Sequence, residues 1–160
     1  MFQVAQLIGR TLREVIAHNA ETGQNAKTFS STLIVGGQIK GMEPRLFLIY
    51  PEGNFIEASD ETPFLQIGET KYGKPILVRA HRASMSFEDA VKLLLVSFDS
   101  TLKSNLSVGM PLDLQVYEAD SLELSDRRRF GPDDPYYRSI SSGWGDALQK
   151  AFAELPDFEQ

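Results

Sequence analysis

PRLFLIYPEGNFIEASDETPFLQIGETKYGKP, residues Pro44 to Pro75, decides the reading of the fold. Leu46-Phe47-Leu48-Ile49-Tyr50 is apolar at consecutive positions, the pattern of a strand covered on both faces, so Arg45–Tyr50 is expected to be one. Pro51-Glu52-Gly53-Asn54 makes a tight turn, because proline presets φ and glycine tolerates positive φ. Asn54–Ala58 returns as a strand, and Pro63–Ile67 is expected to supply another. Gly68–Gly73 opens a short helical region that Lys74-Pro75 begins or interrupts. Thr70, Lys71 and Tyr72 read equally as the start of that helix.

Upstream, Val4, Leu7, Ile8, Leu12, Val15 and Ile16 recur at helical spacing and predict an amphipathic helix from about Phe2 to His18. A polar loop, Asn19–Gln24, closes it. Thr28–Val35 alternates and is rich in β-branched residues, which predicts a strand ended by Gly36-Gly37. Downstream, Ser86 starts the clearest helix, with Glu88 and Asp89 in its first turn. Ala90–Phe98 is apolar on most sides and is expected to be buried between layers. The helix ends near Lys103, Ser104–Gly109 loops, and Leu112–Tyr117 is a further strand. Arg127–Arg129 reads as a solvated loop or, alternatively, an anion site. A last amphipathic helix is expected from Trp144 to Leu155, before Pro156. This order of elements is an α+β layout in one domain, residues 1–160. One face of its sheet is expected to lie against a second sheet that these residues do not obviously encode.

The chain has 160 residues, 42% of them apolar and 24% charged, with a net charge of −6. That acidity argues against nucleic acid or an anionic membrane as a partner. There is no cysteine, which excludes disulfides, thiol catalysis and zinc–thiolate sites. Apolar runs such as Leu46–Tyr50 and Leu93–Val96 are far shorter than the ~20 residues that span a bilayer. No secretory signal is apparent at Met1-Phe2-Gln3-Val4, so a cytoplasmic location is expected.

Serine-histidine catalysis has little to draw on. The two histidines, His18 and His81, lie at a helix end and in a basic surface-like stretch, and no Gly-x-Ser-x-Gly turn exists. No carboxylate or histidine spacing matches a metal set, no phosphate-binding glycine motif is present, and no cofactor is expected.

The segments LIGRTLREV, RLFLIYPEGNFIEA, FLQIGETKYGKPIL and SFDSTLKSNLSVGMPLDL together resemble the bacterial proteasome homologues called the ancestral β subunit, Anbu. The resemblance runs over most of the chain up to about Ser121. It implies an αββα sandwich of the N-terminal-nucleophile hydrolase type and self-association into rings or helical stacks. It also implies peptide hydrolysis by a threonine that heads the mature chain. That hydroxyl attacks the scissile carbonyl while its own α-amine takes the proton. An Asp and a Lys from early strands assist.

None of those three residues is expected among these 160. Met1 is followed by the bulky Phe2, and the chain has no Gly-Thr, Gly-Ser or Gly-Cys junction for autolytic release. The N-terminal strands are expected to precede Met1, which makes this the later part of a subunit. A non-catalytic assembly subunit or truncated remnant is the alternative. The resemblance implies supporting positions at Gly68, after the third strand, and at Ser104 and Ser107, where the family places an Asp-x-x-Ser pair. Here Ser104, or Asn105 in a shifted register, stands at the Asp position. Read without the family, Ser104, Asn105 and Ser107 turn the chain and cap a helix.

Overall fold

The computed structural model describes residues 1–21 and 30–159, which form two compact units. The first comprises Met1–Gly68 and Gln115–Asp126, the second Glu69–Leu114 and Arg127–Gln160.

In the first unit, helix α1 (Phe2–Glu21) packs on a three-stranded antiparallel sheet of β1 (Leu33–Gly37), β2 (Arg45–Ile49) and β3 (Phe55–Glu57), in that order. The register sets Leu33 opposite Ile49 and Val35 opposite Phe47. With side chains alternating along each strand, Leu33, Val35, Phe47, Ile49 and Phe55 pack into one core with Met1, Ala5, Ile8 and Leu12 of the helical segment. Phe47 and Ile49 are fully buried, each stabilising the unit by about 2–3 kcal/mol. Of the expected apolar stripe, Ile8 and Leu12 meet the sheet. Ala5 is buried, while Val4, Leu7 and Val15 are exposed.

Close approach explains the choice of Ala5 and Gly9. Helix α1 crosses the turn between β2 and β3 so tightly that a Cβ on Gly9 would stand 2.2 Å from the Gly53 carbonyl oxygen. Gly53 itself has φ +85°, the left-handed region glycine favours, as its place in the Pro51–Asn54 turn requires. On the other face of the sheet, Ile34, Leu48 and Ile56 form a cross-strand row. Arg45 and Glu57 make a bidentate pair across β2 and β3.

The expected strand at Pro63–Ile67 is absent. Ser59 and Thr62 exchange backbone hydrogen bonds in a tight bridge, and the chain beyond Pro63, which has no N–H to give, runs without a strand partner. The expected first strand starts later, at Leu33; Thr28 and Phe29 lie outside the described residues, as do positions 22–24 of the expected polar loop. Tyr117 and Leu124 form an isolated bridge rather than an extension of the strand beginning at Leu112. Gln38 ties that segment to the end of β1: its Oε1 accepts from the Tyr117 hydroxyl and the Asp120 N–H, each at 2.7 Å.

The second unit holds α2 (Lys74–Ala80), α3 (Phe87–Ser104), the antiparallel pair β4 (Leu112–Leu114) and β5 (Arg128–Phe130), and α4 (Pro135–Ala153). Its core joins Leu95 of α3, Phe130 of β5 and Tyr137 of α4, with Val91, Leu102, Met110 and Ile140 around them. Lys74-Pro75 begins α2, with proline in the first turn where a missing N–H costs nothing. Ser86 caps α3 by accepting the Asp89 N–H. Helix α3 is more exposed than its apolar run suggests: Phe87, Leu94 and Phe98 all present surface.

Two readings of the C-terminal third are corrected. Arg127–Arg129 is not a solvated loop, because Arg128 opens β5 and Arg129 pairs bidentately with Asp113 across the ladder at 2.8 Å. Helix α4 starts nine residues before Trp144, where Asp134 accepts the Tyr137 N–H and Pro135 fits the first turn.

Candidate functional site

Helix α3 ends at Ser104 because Asn105 leaves helical geometry, with φ −138° and ψ 112°. The Asn105 N–H still closes the last turn on the Thr101 carbonyl at 2.9 Å. Its side chain then folds the next residues back. The Asn105 Oδ1 accepts from the Ser107 N–H at 2.8 Å and from the Ser107 hydroxyl at 2.7 Å. Its Nδ2 donates to the Glu69 Oε2 at 2.8 Å. The second Glu69 oxygen accepts the Lys71 N–H at 2.8 Å. A carboxylate, an amide and a hydroxyl thus form one connected set at the end of α3, with Asn105 at its centre.

The expected site residues fall on either side of that centre. Ser107 belongs to the set, and its side chain is exposed. Ser104 is exposed at the end of the helix. Gly68 turns the chain at φ +75°, with open space where a Cβ would stand. It closes the first unit, whereas Ser104 and Ser107 belong to the second. Asn105 and Ser107 do turn the chain as their residue types alone suggest, and they do so with a carboxylate attached.

Glu69 gave no sign in the sequence, since it stands 36 positions from its partner. A second polar cluster was equally hidden. Asp99 is 1% exposed, and its Oδ1 accepts from the Tyr137 hydroxyl at 3.0 Å while its Oδ2 accepts from Lys103 Nζ at 2.8 Å. Lys103 also donates to the Ser141 hydroxyl at 3.0 Å. Burial pushes the Asp99 carboxyl up, but hydrogen bonds from Lys103, Ser141 and Tyr137 outweigh it and hold the group below its ordinary value. Burial and the Asp99 carboxylate push the Tyr137 hydroxyl up to about 12. The visible hint was the Asp99–Lys103 spacing of four inside an apolar helix. Chemically this is a clamp between α3 and α4, since its donors and acceptors satisfy one another.

His18 lies exposed in the last turn of α1, and His81 ends α2, its N–H bonding the Leu77 carbonyl. Among the described residues no group of three or more metal-ligating side chains comes together, and no helix is long and apolar enough to cross a membrane. A groove of about 480 Å³ between α2, α3 and α4 is lined mainly by apolar residues such as Ile76, Leu93, Val96, Ile140 and Trp144.

Solved structures share the fold. The chain is 51% identical to Anbu, a Gly-1 mutant, from Hyphomicrobium sp. strain MC1, over 100% of this chain and 66% of that one, with a TM-score of 0.90. The chain belongs to the Anbu family. Anbu (ancestral β-subunit) from Yersinia bercovieri is 47% identical over 100% of this chain and 66% of its own, with a TM-score of 0.91. Anbu from Pseudomonas aeruginosa, solved as a helical assembly, is 46% identical over 99% and 66%, with a TM-score of 0.89. This chain therefore spans about two thirds of the length of these Anbu chains. Its fold is Anbu-like, mixed helices with small antiparallel sheets, as the sequence resemblance implied. No protein-family model and no curated protein matches the chain.

Proposed function

We propose that this chain is a subunit of a self-associating, proteasome-type threonine peptidase that hydrolyses peptide bonds in the cytoplasm. The observation that carries the reading is similarity to Anbu structures along the whole chain, at 51% identity and a TM-score of 0.90. The helical assembly of the Pseudomonas aeruginosa protein supports self-association into a helical stack or ring. In the αββα sandwich this implies, a second sheet covers the row of Ile34, Leu48 and Ile56. Ile34 is 37% and Ile56 42% exposed, a cost that burial against such a sheet removes.

The division of labour follows from the residues. Nucleophilic threonine, Asp and Lys come from outside these 160 residues, so this chain contributes scaffold and the polar loop at Asn105. There the Ser107 hydroxyl, already donating to Asn105, offers only lone pairs to a neighbour. Such an acceptor suits the α-amine that takes the nucleophile's proton. Gly68, through its turn, and Ser104, beside the loop, are supporting positions in the same reading.

A non-catalytic assembly subunit is the second reading, favoured by the lack of any Gly-Thr junction. The two separate on the native protein, captured from its own cells with an antibody raised against this chain and fractionated by sedimentation. The peptidase reading expects large particles that hydrolyse fluorogenic peptides and stop when given a threonine-directed epoxyketone. Particles that form and leave every peptide intact would establish the assembly reading instead.

A further inference from the structure

We infer that Glu69 is a positioning residue that acts through Asn105 on the Ser107 hydroxyl; the inference rests on the peptidase reading above. Donor and acceptor chemistry fixes the direction of every bond in the set. A backbone N–H only donates, so the Ser107 N–H holds the Asn105 amide oxygen on its own side at 2.8 Å. The amide NH₂ must then face Glu69, where Oε2 accepts it at 2.8 Å. Glu69 Oε1 is committed to the Lys71 N–H. Both carboxylate oxygens act as acceptors, which a neutral side chain of the same shape cannot match.

The effect reaches Ser107. Its hydroxyl shares the Asn105 oxygen at 2.7 Å and so spends its single proton inward. The outward side of the oxygen carries lone pairs alone, an acceptor for an N–H or ammonium group. Remove Glu69 and the Ser107 N–H alone holds the amide, whose NH₂ end has lost its anchor. The hydroxyl is then free to rotate its proton outward. Glu69 therefore sets the polarity of an exposed hydroxyl it never touches.

Three variants test this as a cycle. Glu69→Gln leaves one acceptor where two are needed. Asn105→Asp sets a second carboxylate against Glu69. The double variant Glu69→Gln/Asn105→Asp moves the charge across the pair and satisfies every bond again: the new amide donates to the new carboxylate and accepts from Lys71, and the other carboxylate oxygen keeps both Ser107 donors. Asn105→Asp is expected to lower Tm at pH 8 by about 5 °C. The deficit shrinks toward pH 5, because one carboxyl, raised by its neighbour, binds a proton and the pair then holds; that stability is lost as pH rises through the raised value. The double variant is expected within about 2 °C of the unaltered chain at both pH values. An Asn105→Asp chain that melts like the unaltered one at pH 8, or a double variant no better than Asn105→Asp, overturns the pairing.

Carried in the native gene, Glu69→Gln is expected to lower kcat for peptide turnover roughly tenfold with KM unchanged, and the double variant to restore it. Turnover indifferent to Glu69→Gln removes the positioning role and leaves the peptidase reading standing. No turnover in the unaltered particle sinks the peptidase reading and the positioning role with it, and the melting cycle then reports on the pair alone.

Discussion

Asp99 puts an ionised carboxylate at 1% exposure beside Leu95 and Val96, a placement that burial alone opposes. It persists because Tyr137 and Lys103 occupy its two oxygens from two different helices. Replacing it with asparagine keeps the shape but removes the charge that pairs with Lys103 and turns an NH₂ toward the Tyr137 hydroxyl. Asp99→Asn should therefore cost about 2 kcal/mol, or about 5 °C in Tm at pH 7. Folding holds the Asp99 carboxyl below its ordinary value of 3.8, so its contribution is present above that value and lost as pH falls through the lower folded one. Melts between pH 7 and pH 3 should show the deficit of Asp99→Asn at full size at pH 7 and shrinking below about pH 4. A constant deficit would remove the carboxylate from the account. The single tryptophan, Trp144 of α4, gives a local optical probe of the clamped helix. The same scale shows a limit of legibility. Ser107 could be singled out through the family resemblance, but Glu69 could not, because a bond across 36 positions leaves no periodic trace.

Elements were legible where apolar period and punctuation agreed. Helix α3 begins at the serine that caps it, and β2 and β3 lie on either side of the Pro51–Asn54 turn. Reading failed where a tertiary partner supplies what local propensity withholds. Ser139, Ser141, Ser142, Gly143 and Gly145 weaken the helix signal ahead of Leu148, yet α4 forms from Pro135 because Asp134 caps it and Tyr137 and Ile140 anchor its first turns in the core. Arg128 and Arg129 read as loop because two adjacent like charges repel; Asp113 and Asp134 across from them offset that. In α1 only part of the expected apolar stripe meets the sheet: Ile8 and Leu12 pack there with Ala5, while Val4, Leu7 and Val15 face outward. That contact is testable through Gly9. Gly9→Ala would drive a Cβ into the Gly53 backbone, which cannot rotate away as a side chain can. A loss of about 2–3 kcal/mol is expected in chemical denaturation. Leu7→Ala, on the exposed side of the same helix, should stay within about 0.5 kcal/mol. Equal effects at the two positions would argue against the tight crossing.

Across the whole molecule, large apolar side chains stand at the surface of both units, among them Leu7 and Val15 of α1, Val78 of α2 and Phe152 of α4. Exposed apolar area on this scale favours association. Sedimentation of the purified chain should accordingly show concentration-dependent oligomers, and a monodisperse monomer up to tens of micromolar would count against a subunit role. The family was legible in the sequence because its motifs are local and dense between Pro44 and Asp113. The chemistry was not, because side chains brought together from distant positions, as Glu69 and Asn105 are, leave no local motif. The central claim is that the loop at Asn105 serves a threonine at the head of the mature protein. Treating the native, antibody-captured protein with a peptide epoxyketone and reading the adduct by intact-mass and fragment spectrometry tests it most directly. One inhibitor per subunit, bonded to an N-terminal threonine that precedes these residues, is the predicted result. A native protein that begins at Met1 and takes up no inhibitor would contradict it.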